Sequence, residues 1–300
     1  MPRHQRGAAL LTAMIIVTLV ATLAAAMVWQ QWRAIQVEAS ERARAQSAWI
    51  LYGALDFAKL ILQQDKKQYT ALTEPWATPL AESRLSTFLA IDKSNADDGP
   101  EAFLSGNIDD AQARYNLKNL LKDNGKPDPD EVAILGNLCE AVGIETSVAS
   151  RIAEGLSTGT AGKLTPKLVD QLTWFGLDQA SVQALKPYIV LLPNNALINV
   201  NTASKEVLSA VIGIDAATAE SVLQVRQRTP FRTTDEFAKL VPKATTPKTR
   251  FVIHSDFFEV RGRLRLADRV LVERSLLQRQ GNVFSVINHE RIASLEQLGG

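Results

Sequence analysis

The sequence predicts an α+β protein in which a long N-terminal membrane and stalk helix leads into an antiparallel sheet. A large all-α insertion interrupts that sheet. Three observations carry this reading. The apolar run RGAALLTAMIIVTLVATLAAAM, residues 6–27, continues into a helix-forming stretch without Pro. Short runs suited to strands lie before residue 122, and alternating runs lie after residue 250. Between them the apolar period is helical.

The 300 residues leave room for one anchor and about two domains. A hydrophobic content of 46% supports a packed core, and a net charge of +1 argues against a protein made mainly for nucleic acid. The single cysteine, Cys139, excludes an intramolecular disulfide framework. Its setting, ILGNLCEAVGI, suits a small buried apolar residue rather than a reactive thiol.

Residues 8–28 hold no charge, Pro or Gly. As a helix they span about 32 Å, close to a hydrocarbon core. Arg3 and Arg6 precede the run and keep the N-terminus cytoplasmic. Trp29 and Trp32 suit the far interface. A secretory signal has a shorter apolar core and a small-residue cleavage site, a role open to Ala24-Ala25-Ala26. Against that reading, no Pro stands between Pro2 and Pro75, and Gly53 is the only Gly between Gly7 and Gly99. The stretch 30–65 is rich in Ala, Gln, Glu, Arg and Leu. The expectation is one helix of about 58 residues, apolar first, solvated in its middle and packed on a domain at its end. Ile50, Ala54, Phe57 and Ile61 form its apolar stripe. EPWA, residues 74–77, is expected to end it, since Pro75 cannot continue a helix.

The leader ending in Gly7, the apolar helix that starts at once and the domain beyond it resemble the class III signal of type IV pilins and type II secretion pseudopilins. The resemblance implies that a prepilin peptidase cuts after Gly7 and that Ala8 becomes N-methylated. Most such pilins carry Glu at the fifth mature position; here it is Thr12. A carboxylate at membrane depth is costly unless paired, and a subunit with none above it has no amine to pair with. Lack of this Glu marks the K-type minor pseudopilins.

SGNIDDAQARYNLKNLL, residues 105–121, supports the same family, whose similar run joins an acidic-Ala-Gln turn to an aromatic, Asn and Leu. From the residues alone it reads as a strand ending in an Asp-capped turn, with Asp109 and Asp110 as capping groups rather than catalytic ones. DKSNADDGPE, residues 92–101, invites calcium. Aligning Gly99 with the EF-hand glycine, however, puts Ser94 and Ala96 at ligand positions. Residues 131–192 read as helices punctuated by glycines and Pro187. The family often places calcium-associated carboxylates here, and IAEGLSTGTAG largely lacks them.

Residues 197–240 resemble a helix-hairpin-helix (SAM-like) module. Asn199-Val200-Asn201-Thr202 is expected to cap a helix, Gly213 to form the hairpin, and Arg226 and Phe231 to follow. DNA-binding hairpins present backbone N–H groups to phosphate through Gly-Ile-Gly. Here the turn is Gly213-Ile214-Asp215, and the carboxylate repels phosphate. Arg226, Arg228, Arg232, Lys243, Lys248 and Arg250 nevertheless make the region basic. After Arg250, FEVRGRLRL and VLVERSLL alternate and predict a three-stranded meander. His4, His254 and His289 have no ligand partners at metal spacing.

The predicted division is leader 1–7, membrane helix 8–28, stalk helix 29–66, pilin-like α+β part 67–122, inserted α domain 123–249 and pilin-like strands 250–300. The resemblance implies a structural K-type minor pseudopilin at the tip of the type II secretion pseudopilus, which initiates its assembly for export of folded proteins. Its partners would be the I-type and J-type minor pseudopilins, met through the helix stripe Ile50, Ala54, Phe57 and Ile61 and the pilin domain, then H-type and major G-type subunits, with the prepilin peptidase and the inner-membrane assembly platform. The chain would cross the bacterial inner membrane once, with its C-terminal domain periplasmic. No catalytic residue, cofactor, metal or nucleic acid is expected, and no phosphate-binding Gly-Lys-Ser/Thr loop is present. The alternatives are a membrane-tethered nucleic-acid binder for DNA uptake and a minor pilin of a type IV pilus.

Overall fold

The computed structural model describes residues 5–64, 68–85, 102–158, 165–242, 244 and 250–292, apart from 267 and 268. The chain divides into two units, Met1–Gly53 and Ala54–Gly300. The first consists of helix α1, which runs Gln5–Gln64 and so extends into the second. Its composition explains its length: Pro is absent and the only interior glycines are Gly7 and Gly53. Exposed Glu38–Arg42 and Glu41–Arg44 pairs, at i,i+4 and i,i+3, add modest local support.

The second unit is built on a five-stranded antiparallel sheet. Its strands are β1 (Leu80–Arg84), β2 (Ala102–Asp110), β7 (Phe257–Leu266), β8 (Arg269–Gln280) and β9 (Val283–Ile292), in that spatial order; the short strands β3 (Tyr115–Asn116), β4 (Ile189–Val190), β5 (Ile198–Asn199) and β6 (Phe251–Val252) pair outside it. The expected C-terminal meander is therefore present, turning between β8 and β9 at Gly281, whose φ of +62° suits glycine. β2 pairs directly with β7, Ile108 opposite Val260 and Asp110 opposite Phe258, although the whole helical block separates them in sequence.

Alternation decides which face of the sheet is wet. Phe258, Val260 and Leu264 of β7 point one way; Glu259, Arg261, Arg263 and Arg265 point the other. Against the apolar face lie Leu55, Ala58 and Leu62 of α1, joined by Trp76, Leu277 and Phe284. Trp76 and Phe284 meet Phe258 edge-on, at centroid distances of 5.5 and 5.8 Å. Burying one such leucine is worth about 2 kcal/mol.

Helix α1 ends at Gln64, short of EPWA. Pro75 opens a 3₁₀ turn instead. There the Glu74 carboxylate accepts from Ala71 N and from Trp76 Nε1 at 2.8 Å, and seats the indole in the sheet core.

Between β2 and β7 stands the helical block. It contains α2 (Pro129–Ala141), α3 (Ser147–Thr158), α4 (Gln179–Leu185), α5 (Lys205–Leu208), α6 (Ala216–Arg228) and α7 (Thr234–Leu240). Pro at the first turn and the Asp128 side chain on Asp130 N start α2. Leu135, Leu138, Ile152, Leu172, Val182, Leu185 and Phe237 form its core with Cys139. The block is less helical than its sequence pattern: KLVDQLTWF makes 3₁₀ turns, and Ile189–Val190 forms a strand parallel to Tyr115–Asn116. Pro187 ends the helical reading there, and the apolar YIVLL run then pairs as strand.

Candidate functional site

Gly7 and Ala8 lie in the helical backbone of α1 just ahead of the apolar run. Thr12 lies on its exposed surface. Leu11, Ile15, Val17, Val20 and Met27 are all mostly exposed, an arrangement costly in water and favourable in lipid. The Thr18 hydroxyl donates to Met14 O at 3.0 Å, and the Thr22 hydroxyl donates to Leu19 O at 2.9 Å. These two polar groups are thus satisfied without water, as a bilayer requires. Among the described residues α1 is the one helix long and apolar enough to cross a membrane.

Ile50, Ala54 and Ile61 are half-buried and Phe57 is 46% exposed. The buried stripe lies one residue further on, at Leu51, Leu55, Ala58 and Leu62. Both sets repeat at i, i+4, i+7 and i+11. The stripe with three leucines is the one that turns inward, and Leu55, Ala58 and Leu62 contact the sheet core. In the second unit Phe57 and Leu60 are about half exposed; in the first, Tyr52 is likewise, and Trp49 is 76% exposed.

The hairpin module is present, with corrections. Ser204, not Asn199 or its neighbours, caps α5, accepting from Val207 N. A π-turn over Ser209–Gly213 follows, and Gly213 takes φ +71° at the hairpin. Asp215 caps α6, accepting from Thr218 N at 2.8 Å and from Thr218 Oγ1 at 2.9 Å. The Thr218 N–H and hydroxyl hold its carboxyl below the usual range. The helix N-terminus that meets phosphate in a DNA-binding hairpin is here occupied by the chain's own carboxylate. Arg226 is buried and donates to Val200 O at 2.8 Å, and burial lowers its pKa to about 10. Arg250 is paired with Glu131, which also accepts from Tyr115 Oη. Two of the six basic residues are therefore internal braces. Arg228 and Arg232 are exposed, and Lys243 and Lys248 lie outside the described residues.

Asn199 and Asn201 are buried cross-links. Asn201 donates to Phe231 O and accepts from Phe231 N, both at 2.9 Å. Asn199 donates to Thr70 O and to the buried carboxylate of Asp110, at 3.0 Å each. Asp110 is the hub of this region. One of its oxygens accepts from Gln112 N at 2.8 Å; the other accepts from Asn199, from Thr202 Oγ1 and from Ser255 Oγ at 2.6 Å. Burial pushes its pKa up, against these donors. The capping role read from the sequence is present at Asp110, with a wider bracing role that the sequence did not reveal; the Asp109 carboxylate instead accepts from Asn107 Nδ2.

Gln112, Asn116 and Asn119 extend the brace. Gln112 donates to Leu197 O and accepts from Asp256 N; Asn116 accepts from Leu192 N and donates to Asn194 O; Asn119 takes both backbone groups of Ala196. Three side-chain amides thus read the 192–197 backbone as a neighbouring strand would. Their spacing of four and then three was the available signal.

The DKSNADDGPE loop and residues 159–162 of IAEGLSTGTAG lie outside the described residues, as does His4. Among the described residues no group of three or more His, Cys, Asp or Glu is placed to hold a metal. His254 is exposed, and His289 Nδ1 lies 2.9 Å from Ser275 Oγ. Cys139 is fully buried, and burial pushes its thiol up to about 11.

Residues 198–254, the hairpin module and the segment after it, match the family model of type II secretion system (T2SS) protein K. The type II secretion system protein K of Pseudomonas aeruginosa is 27% identical over 93% of this chain and 90% of its own. That of Klebsiella pneumoniae is 27% identical over 96% of each. Among solved structures, the crystal structure of the GspK-GspI-GspJ complex from enterotoxigenic Escherichia coli aligns with a TM-score of 0.67 at 20% identity, covering 85% of this chain and 99% of that one. Over nearly its whole length, in the family signature on its hairpin module and in its fold, this chain is similar to the type II secretion system K proteins.

Proposed function

We infer that this chain is a structural minor pseudopilin that stands at the tip of the type II secretion pseudopilus and starts its assembly for export of folded proteins. One observation carries the reading: an exposed apolar N-terminal helix is joined to an antiparallel sheet that a large helical block splits. The names of the relatives support it, and so does the fold neighbour, which was solved with GspI and GspJ. By this reading residues 1–7 are the leader, cut after Gly7, and Ala8 carries the N-methyl group. The helix crosses the inner membrane from a cytoplasmic N-terminus, and the domain from about residue 67 is periplasmic. Residues 123–249 act as an inserted domain. Thr12 in place of the fibre carboxylate suits a subunit with no neighbour above. The subunit is non-catalytic and needs no cofactor or calcium; a separate ATPase supplies the energy.

The partners proposed are I-type and J-type pseudopilins below it, then H-type and G-type subunits, with the peptidase and the assembly platform. Contact runs along α1 through Ile50, Ala54, Phe57 and Ile61, flanked by exposed Tyr52 and Leu60. The test is cross-linking with a thiol-to-amine reagent, from one introduced cysteine to amines of neighbouring subunits, in cells that hold all five pseudopilins. Cysteines replace Tyr52, Phe57 or Leu60, with Leu55→Cys as a buried control, and buried Cys139 is left in place. Single links to I-type or J-type subunits are expected from the three exposed positions. Ladders of self-linked chains would overturn the tip assignment.

A further inference from the structure

The wet face of the sheet is unusually rich in arginine. Arg261, Arg263 and Arg265 follow one another on one face of β7, about 7 Å apart. Arg261 stands directly opposite Arg274 of β8, a like-charge cross-strand pair of the kind that costs stability. The neutralisation is uneven. Arg274 is held by Glu290 and Glu259. Arg263 and Arg265 share one carboxylate, Glu82, at 3.2 and 2.7 Å. Arg265 is further immobilised over the Phe103 ring, 3.9 Å from its centroid. Arg261 is exposed and has no ion pair within 4 Å among the described residues.

At one end of this row the helical block closes over the sheet and forms a cleft. Lys167 and Lys186 come from the block; Arg114 and Arg274 stand with Glu259 on the sheet side, and Val190 and Leu276 add apolar lining. Arginine suits this face to planar carboxylates, which it grips with two parallel N–H groups. The interspersed carboxylates Glu82, Asp109, Glu259 and Glu290, with Asp109 and Glu259 flanking Arg261, decide between anions. A continuous polyanion such as duplex DNA, or a sheet of lipid phosphates, meets all of them. An extended polypeptide can place separate acidic side chains between them.

We propose that this arginine row and its cleft form a docking surface for an extended acidic segment of another polypeptide. Arg261 and Arg263 grip its carboxylates, and the cleft receives its apolar side chains. The test uses the full chain in neutral-detergent micelles at about 0.15 M salt. The probe is a short fluorescein-labelled peptide of alternating Glu and Val, followed by anisotropy. Saturable binding is expected, weakened roughly tenfold when Gln replaces Glu in the peptide. A similar loss is expected for Arg261→Glu and Arg263→Glu, and none for Arg228→Glu in the hairpin module. Thermal melts check folding, and Arg261→Gln serves if the charge reversal melts early. Excess duplex DNA or added phosphatidylglycerol should not displace the peptide. Failure to saturate, indifference to Arg261 substitution, or displacement by duplex or lipid would each overturn the proposal.

Discussion

Asp110 shows how one residue can join two parts of a fold. It ends a sheet strand, and its carboxylate gathers donors from the hairpin module and from Ser255. Each of these groups is buried, so each needs its partner. Asp110→Asn keeps the shape but turns one acceptor oxygen into a donor. The amide cannot satisfy Gln112 N, Asn199 and both hydroxyls together, and one buried donor is orphaned. The expected cost is about 2 kcal/mol, seen as a lower urea midpoint with an unchanged slope. A neutral result would mean that the hydroxyls turn to accept. Asp215 is the contrasting case, an exposed cap whose hydrogen bonds hold its carboxyl below the usual range. A depressed folded value means that its stabilisation is present above the unfolded value. It is lost as pH falls through the folded one. Asp215→Ala should therefore lower the midpoint at neutral pH, and the gap to the parent protein should close in acid, below about pH 4. A gap that widens in acid would show that the cap acts through packing instead.

Gly155 tests the packing of an element. A mid-helix glycine normally gains about 1 kcal/mol on replacement by Ala. Here a Cβ would stand 2.6 Å from Phe175 Cδ1, where α3 meets the 3₁₀ turns of Val169–Phe175. Displacing a packed ring costs about 1–3 kcal/mol, so the steric term should win and Gly155→Ala should destabilise. A raised melting temperature would show that the ring has room to move. Elements with strong local patterns were legible in the sequence: the long helix, the split sheet, the C-terminal meander and the hairpin glycine. The sequence left the answer open where two local readings compete. Ile50, Ala54, Phe57 and Ile61 have the same period as Leu51, Leu55, Ala58 and Leu62, and only the sheet distinguishes the two. Asn199 and Asn201 have capping chemistry, but their partners, Asp110 and Phe231, are brought near by the fold. Arg226 has the composition of a phosphate ligand, and only its burial reveals a brace. The amide clamp of Gln112, Asn116 and Asn119 reads a backbone more than seventy residues away, beyond any local pattern.

At the scale of the molecule, the question is which part of the N-terminal segment survives maturation. Two cuts compete. A secretory cut after Ala26 would discard the membrane span and leave a periplasmic domain with a free helical end. A cut after Gly7 keeps the span. Helix α1 favours the second. It runs unbroken through Ala24, Ala25 and Ala26 to Gln64, so a cut there would fall inside regular helix. The apolar side chains before that site are exposed along the span, at a length that fits a segment retained in the bilayer. The mature chain is therefore expected to begin at Ala8 with one added methyl group and to remain with the membrane after an alkaline wash. Intact-mass measurement of detergent-extracted protein from cells with the prepilin peptidase reads the cut directly, and cells without the peptidase should yield the uncut mass. Gly7→Leu should also give the uncut mass while leaving insertion intact, since it adds an apolar residue to an apolar helix. A mature chain that starts after Ala26, or one that stays uncut despite the peptidase, would remove the basis for placing this subunit in a fibre at all.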